Sequence, residues 1–258
     1  MSDQDRYSVI ALAGGSLEAD FKRAGYDVPN KAYLPIAGEI MLVRVLRALK
    51  NAARVAQVRC VTQPDAIEAH PKARALCDLV VPPGEDLIDS VIAGLAGCAD
   101  DEQVLVCATD VPLLNAQAVD GFAALADATP CDIGYGFVPR GLHDERYPGV
   151  RHTWVRLREG TFCGSGISVM RAGAAKKIQE ALRRFTDARK SPAKMAALFS
   201  PTLAFRLFMG GVSVGELETQ ANRVTGLVCR GIECPFPEVA VNVDRLADLA
   251  IVERLLLM

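Results

Sequence analysis

Apolar positions along the chain switch repeatedly between two periods. Residues 9–13 form a short apolar run that ends in Gly14-Gly15, and after an irregular stretch residues 41–53 repeat apolar side chains at helical spacing. The same order recurs: strands are expected at 58–62 and 79–81, and a helix at 87–95 behind Pro82-Pro83-Gly84. Residues 104–108 are almost unbroken apolar, the pattern of a central parallel strand covered on both faces, and a helix follows at 116–126. Between 133 and 170 the rhythm changes. Residues 154–157 alternate, Arg158-Glu159-Gly160 offers a turn, and 166–170 reads as a further strand, so mixed pairing is expected there. From 172 to 223 the pattern is helical in pieces, with Ser191-Pro192 placed as an N-cap and Ser213 through Glu216 spaced as a capping box. A last strand at 239–243 and a last helix at 244–257 close the chain. This alternation describes one α/β domain spanning 1–258, with a mixed, mostly parallel sheet and a helical insert at 172–225.

Composition narrows the partners. Of 258 residues, 50% are apolar and 23% charged, and a net charge of −2 provides no basic field for nucleic acid or an anionic membrane. The eight cysteines contain no Cys-x-x-Cys pair, and Cys60 and Cys107 lie within apolar runs, so they read as small buried hydrophobes and not as a zinc framework. Residues 1–7 lack the layout of a secretory signal, and no apolar stretch approaches the roughly 20 residues that span a bilayer. A reducing cytoplasm is the expected location.

In an open α/β sheet the ligand crevice lies beyond the carboxyl ends of the strands, so the residues after each strand carry the candidate chemistry. After the first come Gly14 and Gly15, whose backbone N–H groups are open to a phosphate, with Lys22, Arg23 and Lys31 further along the loop. Glycines also serve strand-to-helix turns for geometry alone, and neither Gly-x-Gly-x-x-Gly nor a P-loop is present. After the central strand comes Thr109-Asp110-Val111-Pro112, a carboxylate at the mouth of the sheet or a local Asp turn. After the last strand comes Asn242-Val243-Asp244, with Asp248 beyond; Asp244 is also suited to cap the last helix. Two carboxylates at the ends of separate strands beside a lysine-bearing glycine loop point to Mg²⁺ and a nucleotide. Arg140, His143, Arg146, Arg151, His152 and Arg156 form a positive stretch suited to an acidic acceptor, or a solvated loop paired with Asp144 and Glu145. His143 and His152 lack a third ligand at metal spacing and are expected to be surface residues. Phe199, Leu203, Phe205, Leu207, Phe208 and Met209 crowd the insert; burial is expected, with a homodimer interface or a greasy acceptor pocket as alternatives. Trp154 is expected to pack and not to stack on a base.

Leu12-Ala13-Gly14-Gly15, then Asn30-Lys31-Ala32-Tyr33-Leu34-Pro35-Ile36-Ala37-Gly38 with Met41, resemble the signature of nucleotidyltransferases that include sugar-1-phosphate and molybdenum-cofactor nucleotide transferases. Pro82-Pro83-Gly84 with Asp89-Ser90-Val91 is similar to their base-recognition segment, 104–112 to their metal-aspartate strand, Gly164-Ser165-Gly166-Ile167 to their acceptor stretch, and 242–249 to their closing metal motif. The resemblance covers the chain outside the insert. It implies a Rossmann-like, A-type glycosyltransferase-like three-layer sandwich that transfers NMP from an NTP to a phosphorylated small molecule, releasing pyrophosphate. By that resemblance Asp110 and Asp244 hold Mg²⁺, and Lys31 steadies the triphosphate. Leu12, Ala13, Gly14, Gly15, Lys22, Arg23, Pro83, Gly84, Ser90 and Thr109 join Lys31 and Asp110 around the nucleotide. Arg140, Arg146, Gly164, Ser165 and Gly166 meet the acceptor. Where the family's first loop continues as Gly-x-Gly-x-Arg, this chain has Ser16-Leu17-Glu18-Ala19-Asp20, so Lys22 or Arg23 is expected to supply the positive charge. A nucleotide sensor or scaffold without turnover, and a glycosyltransferase using a sugar nucleotide, are the alternative readings.

Overall fold

The computed structural model describes residues 6–175, 177–179, 206 and 209–257. Its strands are β1 (Tyr7–Leu12), β2 (Pro35–Ile36), β3 (Glu39–Ile40), β4 (Val55–Val61), β5 (Leu79–Val81), β6 (Gln103–Ala108), β7 (Ile133–Pro139), β8 (Val155–Arg156), β9 (Thr161–Arg171) and β10 (Cys229–Glu233). Its helices include α1 (Ala19–Arg23), α2 (Met41–Asn51), α3 (Pro64–Glu68), α4 (Pro71–Arg74), α5 (Leu87–Gly94), α6 (Ala116–Asp127), α7 (Arg140–Arg146), α8 (Val214–Thr225) and α9 (Leu246–Leu257). The main sheet runs β10-β7-β9-β6-β1-β4-β5, with β8 paired to β9. Strands β5, β4, β1 and β6 are mutually parallel, whereas β9 runs antiparallel to both β6 and β7. The anticipated mixed, mostly parallel α/β architecture is thus the observed one.

Helices on both faces explain why β1 and β6 read as continuous apolar runs. Val9, Ala11, Leu105 and Cys107 face one way, onto Leu42, Val45, Leu46 and Leu49 of α2 and Val119 and Phe122 of α6. Those α2 positions repeat at i, i+3, i+4 and i+7, the stripe a helix needs to bury one side. Ile10, Val104 and Val106 face the other way, onto Val91 and Leu95. A third apolar cluster, including Phe21, Leu34, Ile36, Met41, Val241, Val243, Leu249 and Val252, gathers α1, the β2–β3 hairpin and α9. Lys31 and Asp244 each lie within a few residues of this cluster, and its packing sets where their side chains can reach.

The chain leaves β1 toward β4 and β5 on one side and returns to β6 on the other, so Leu12 ends beside both Val61 and Ala108. That reversal opens the crevice. Two expectations change. Residues 239–243 form no strand: Pro237–Ala240 is a 3₁₀ turn, and Val239, Ala240, Val241 and Val243 are apolar because they pack, not because they pair. The edge position belongs to β10, parallel to β7. The expected capping box is made at Ser213, whose Oγ accepts from Glu216 N while the Glu216 carboxylate accepts from Ser213 N. Met209 is exposed, contrary to expectation, whereas Ser191-Pro192 and Phe199, Leu203, Phe205, Leu207 and Phe208 lie outside the described residues.

Candidate active site

Short polar side chains lock the loop ends of β1, β4 and β6 together. Thr109 Oγ1 donates to the Leu12 carbonyl at 2.7 Å, and Thr62 Oγ1 donates to the Ala13 carbonyl at 3.0 Å. The Tyr33 hydroxyl in turn lies 2.7 Å from Thr62 Oγ1. Asn30 caps a 3₁₀ turn over Lys31–Tyr33: its Oδ1 accepts from Ala32 N at 3.0 Å, and its Nδ2 donates to the Ala13 carbonyl at 2.8 Å. Because Asn30, Thr62 and Thr109 are all buried, these bonds hold the glycine loop and the lysine turn as one body.

Lys31 is thereby aimed across the crevice. Its Nζ donates to Asp110 Oδ2 at 2.8 Å and to Asp244 Oδ1 at 2.6 Å, with Glu18 Oε1 at 3.5 Å. Burial works against the ammonium charge, but Asp110 and then Asp244 outweigh it and hold the lysine above its usual range. Asp110 is fixed from the far side by Asn242 Nδ2, which donates to its Oδ1 at 3.2 Å, while its backbone carbonyl accepts from Val243 N at 2.9 Å. The Asp244 carboxylate faces Lys31 and not the first turn of α9; Asp248, within that turn, reaches back, its Oδ2 accepting from Asp244 N and Arg245 N at 3.2 and 2.9 Å, which fixes the backbone that presents Asp244.

One ammonium touching both aspartates brings their oxygens within one cation's neighbourhood. Two carboxylates are a hard oxygen set of the kind Mg²⁺ takes when substrate phosphates and water complete its shell, and Glu18 Oε2 lies buried nearby without a partner. Among the described residues no group of three or more His, Cys, Asp or Glu side chains forms a metal cage. The hard oxygens this chain would offer a magnesium ion are thus those of Asp110 and Asp244.

Across the glycine loop sits the Pro83-Gly84 segment. Gly15 has φ +89°, a left-handed conformation that favours glycine, and a Cβ on Gly84 would lie 2.4 Å from Asp89 Cβ and 2.8 Å from Ser90 N. Ser90 Oγ accepts from Gly84 N at 3.1 Å and donates to the Asp86 carbonyl at 2.8 Å. Its one proton is committed to Asp86, so Ser90 ties Gly84 to the start of α5. Lys22 and Arg23 are exposed on α1, and neither joins the Lys31 network.

The positive stretch divides. Arg140, Arg151, His152, Trp154 and Arg245 line an 840 Å³ cavity together with Asp244. Arg146 does not; it faces Glu238 at 3.9 Å in a separate cavity with Arg44 and Arg47. Arg156 projects from β8 against Gly210. Gly164 lies in an apolar groove under Tyr135, Ser165 Oγ donates to the Ile167 carbonyl at 2.7 Å, and Gly166 abuts Val111 and Val239, so none of the three lines the cavity with Asp244. Nor are the histidines surface residues: His143 is fully buried and His152 half-buried. Thr62 went unnoticed in the sequence, whereas Asn30, Asn242 and Glu18 stood inside quoted segments without the contacts described above.

Residues 9–196 match the MobA-like NTP transferase domain. The chain belongs to that family. A hypothetical transferase from Thermus thermophilus is 33% identical, with a TM-score of 0.79 over 95% of this chain and 99% of that one. At 16% identity, CMP:2-keto-3-deoxy-manno-octonic acid synthetase complexed with CTP (TM-score 0.57, 98% of each chain) shares the fold. So does 4-diphosphocytidyl-2C-methyl-D-erythritol synthase, also at 16% identity (TM-score 0.58, 97% of this chain and 98% of that one). No protein of curated function matches the sequence. Among the described residues no helix is long and apolar enough to cross a membrane.

Proposed function

We propose that this NTP transferase family member moves an NMP group from an NTP to a phosphorylated small molecule, as a single domain with its insert at 172–225. The acceptor phosphate oxygen bonds to the α-phosphorus, the bond to the β-phosphate oxygen breaks, and pyrophosphate leaves. The observation that supports this most is the convergence of Lys31, Asp110 and Asp244 at the reversal point of the sheet. Asp110 and Asp244 would hold Mg²⁺, which when bound neutralises charge on the phosphates. Lys31 turns from the carboxylates to the triphosphate, and the backbone N–H groups of Gly14 and Gly15 cradle it. Pro83 and Gly84 border the base. A phosphate monoester is already anionic at neutral pH, so the protein's contribution is alignment and charge neutralisation.

The test is a thermal-shift screen of ATP, CTP, GTP and UTP with and without Mg²⁺, followed by pyrophosphate release with phosphorylated acceptors. Stabilisation by one Mg·NTP and turnover lost in Asp110→Ala are expected; turnover that persists in that variant removes the metal assignment. Glu18 standing in a loop where the family has arginine favours one second reading, a nucleotide sensor, which binds Mg·NTP without releasing pyrophosphate under any acceptor.

A further inference from the structure

The cavity beside Asp244 contains a three-residue chain of ring and carboxylate contacts. His152 Nε2 lies 2.8 Å from His143 Nε2, and His143 Nδ1 lies 3.4 Å from Asp144 Oδ1. Arg140 holds Asp144 from outside at 2.9 Å, keeping it ionised and therefore acceptor-only, and its guanidinium carbon sits 5.4 Å over the Trp154 ring. Burial lowers the proton affinity of both histidines, so each ring is neutral at pH 7 with one proton.

The proton count then has one consistent solution. A carboxylate facing His143 Nδ1 requires the proton there, which leaves His143 Nε2 as a lone pair. At 2.8 Å two lone pairs would repel, so His152 Nε2 carries a proton and donates it. His152 Nδ1 is consequently bare. It makes no hydrogen bond among the described residues, and His152 lines the cavity. Asp144, Asp244 and Asp248 line the same cavity and Arg140 is paired with Asp144, so the cations left for an anionic end are Arg151 and Arg245, while the His152 acceptor suits a hydroxyl at the other end of the ligand.

Resting on the proposed transfer reaction, we propose that this cavity receives the acceptor and that His152 Nδ1 selects it by accepting a hydrogen bond from an acceptor hydroxyl. Asp144 and His143 act only through His152 and are positioning residues; the acceptor class is a hydroxylated phosphate monoester, not a bare alkyl or aryl phosphate.

The experiment uses the full chain labelled with ¹⁵N-histidine, whose three histidines are separable by His→Gln variants. Long-range ¹H–¹⁵N spectra are expected to show His152 protonated on Nε2 and His143 on Nδ1; a proton on His152 Nδ1 overturns the proposal. Titration with sugar and polyol phosphates and their monodeoxy counterparts should find a hydroxylated member binding about tenfold more tightly than its deoxy partner. That difference should vanish in His152→Phe and return in part in His152→Asn, whose carbonyl still accepts. Equal affinity within every pair, a preference surviving in His152→Phe, or a pocket that takes none of the panel overturns it. The Mg·NTP thermal shift involves no acceptor and decides the nucleotidyltransferase reading separately.

Discussion

Replacing Lys31 by methionine should weaken the resting protein and strengthen its hold on Mg²⁺. The stem of methionine fills much the same volume, so the change removes a charge from between three carboxylates. The Asp110 contact is mostly buried and should contribute about 1.5–3 kcal/mol as a charge-assisted bond. Asp244 is 63% exposed, and its share is discounted to roughly 0–1 kcal/mol by solvent. Together about 1.5–4 kcal/mol is lost, which for a chain of this length lowers Tm by roughly 3–16 °C. Because the lysine pKa is raised in the fold, its contribution is complete below the unfolded value of about 10.4 and fades only in strong alkali, so mutation and not pH is the usable handle. In the variant, Mg²⁺ no longer has to displace an ammonium. Calorimetric titration should therefore give tighter Mg²⁺ binding than in the parent, and Mg²⁺ should recover most of the lost Tm, while pyrophosphate release falls by about 10²–10³ for want of the triphosphate partner. Mg²⁺ affinity unchanged or reduced in Lys31→Met would refute the idea that lysine and metal share one place.

Three further outcomes are open to direct measurement. Gly84→Ala drives a Cβ into Asp89 and the start of α5, so nucleotide affinity should drop at least tenfold with a stability loss of about 1–3 kcal/mol; unaltered thermal shifts with Mg·NTP would contradict the close packing of that loop. Thr62→Val keeps the shape but removes a donor to Ala13 and an acceptor for Tyr33, both buried, and chemical denaturation should register about 1–3 kcal/mol. Backbone N–H donation from Ser213, then Arg206, lowers the Glu216 pKa to about 2, so the cap of α8 contributes fully above the unfolded carboxylate value of about 4.3 and is lost as pH falls toward 2. Acid titration followed by circular dichroism should show this step in the parent and not in Glu216→Gln.

Much of the frame was visible in the residue pattern because helices covering both faces force strands such as β6 to be apolar throughout, and because α2 must show a stripe. Local chemistry also surfaced where it was repeated in neighbouring residues, as at Ser213 and Glu216. What stayed hidden depended on contacts between distant segments. Asn30 and Thr62 meet at the Ala13 carbonyl, and no local spacing announces that pairing. Asp244 looks like a helix cap from its position alone, yet its carboxylate meets Lys31, more than two hundred residues away in the chain. The run from 239 to 243 is as apolar as a strand, yet Pro237 starts a turn there and the residues pack instead. His143 and His152 lie nine positions apart in a charged stretch, and their burial arises from Trp154 and Tyr147 closing around them.

The charge count at the site carries one further consequence. One ammonium faces the carboxylates of Asp110, Asp244 and Glu18, leaving two negative charges where the proposed reaction would seat a triphosphate, and Lys22 and Arg23, exposed on α1, pair with none of the three. A phosphate charge about 4 Å from an uncompensated carboxylate meets repulsion of about 4 kcal/mol at an effective dielectric of 20, roughly a thousandfold in affinity. Backbone N–H groups alone cannot offset several such terms, whereas a divalent ion removes two charges at once. The nucleotide should therefore bind only as its magnesium complex: none of the four NTPs should raise Tm in EDTA, and at least one should do so with Mg²⁺. Glu18→Arg replaces a negative charge by a positive one, shifts the local balance by two, and should allow measurable NTP binding in EDTA. If free NTP stabilises the parent as well as Mg·NTP does, the repulsion assigned to Glu18 is absent and the loop's departure from Gly-x-Gly-x-Arg needs another cause.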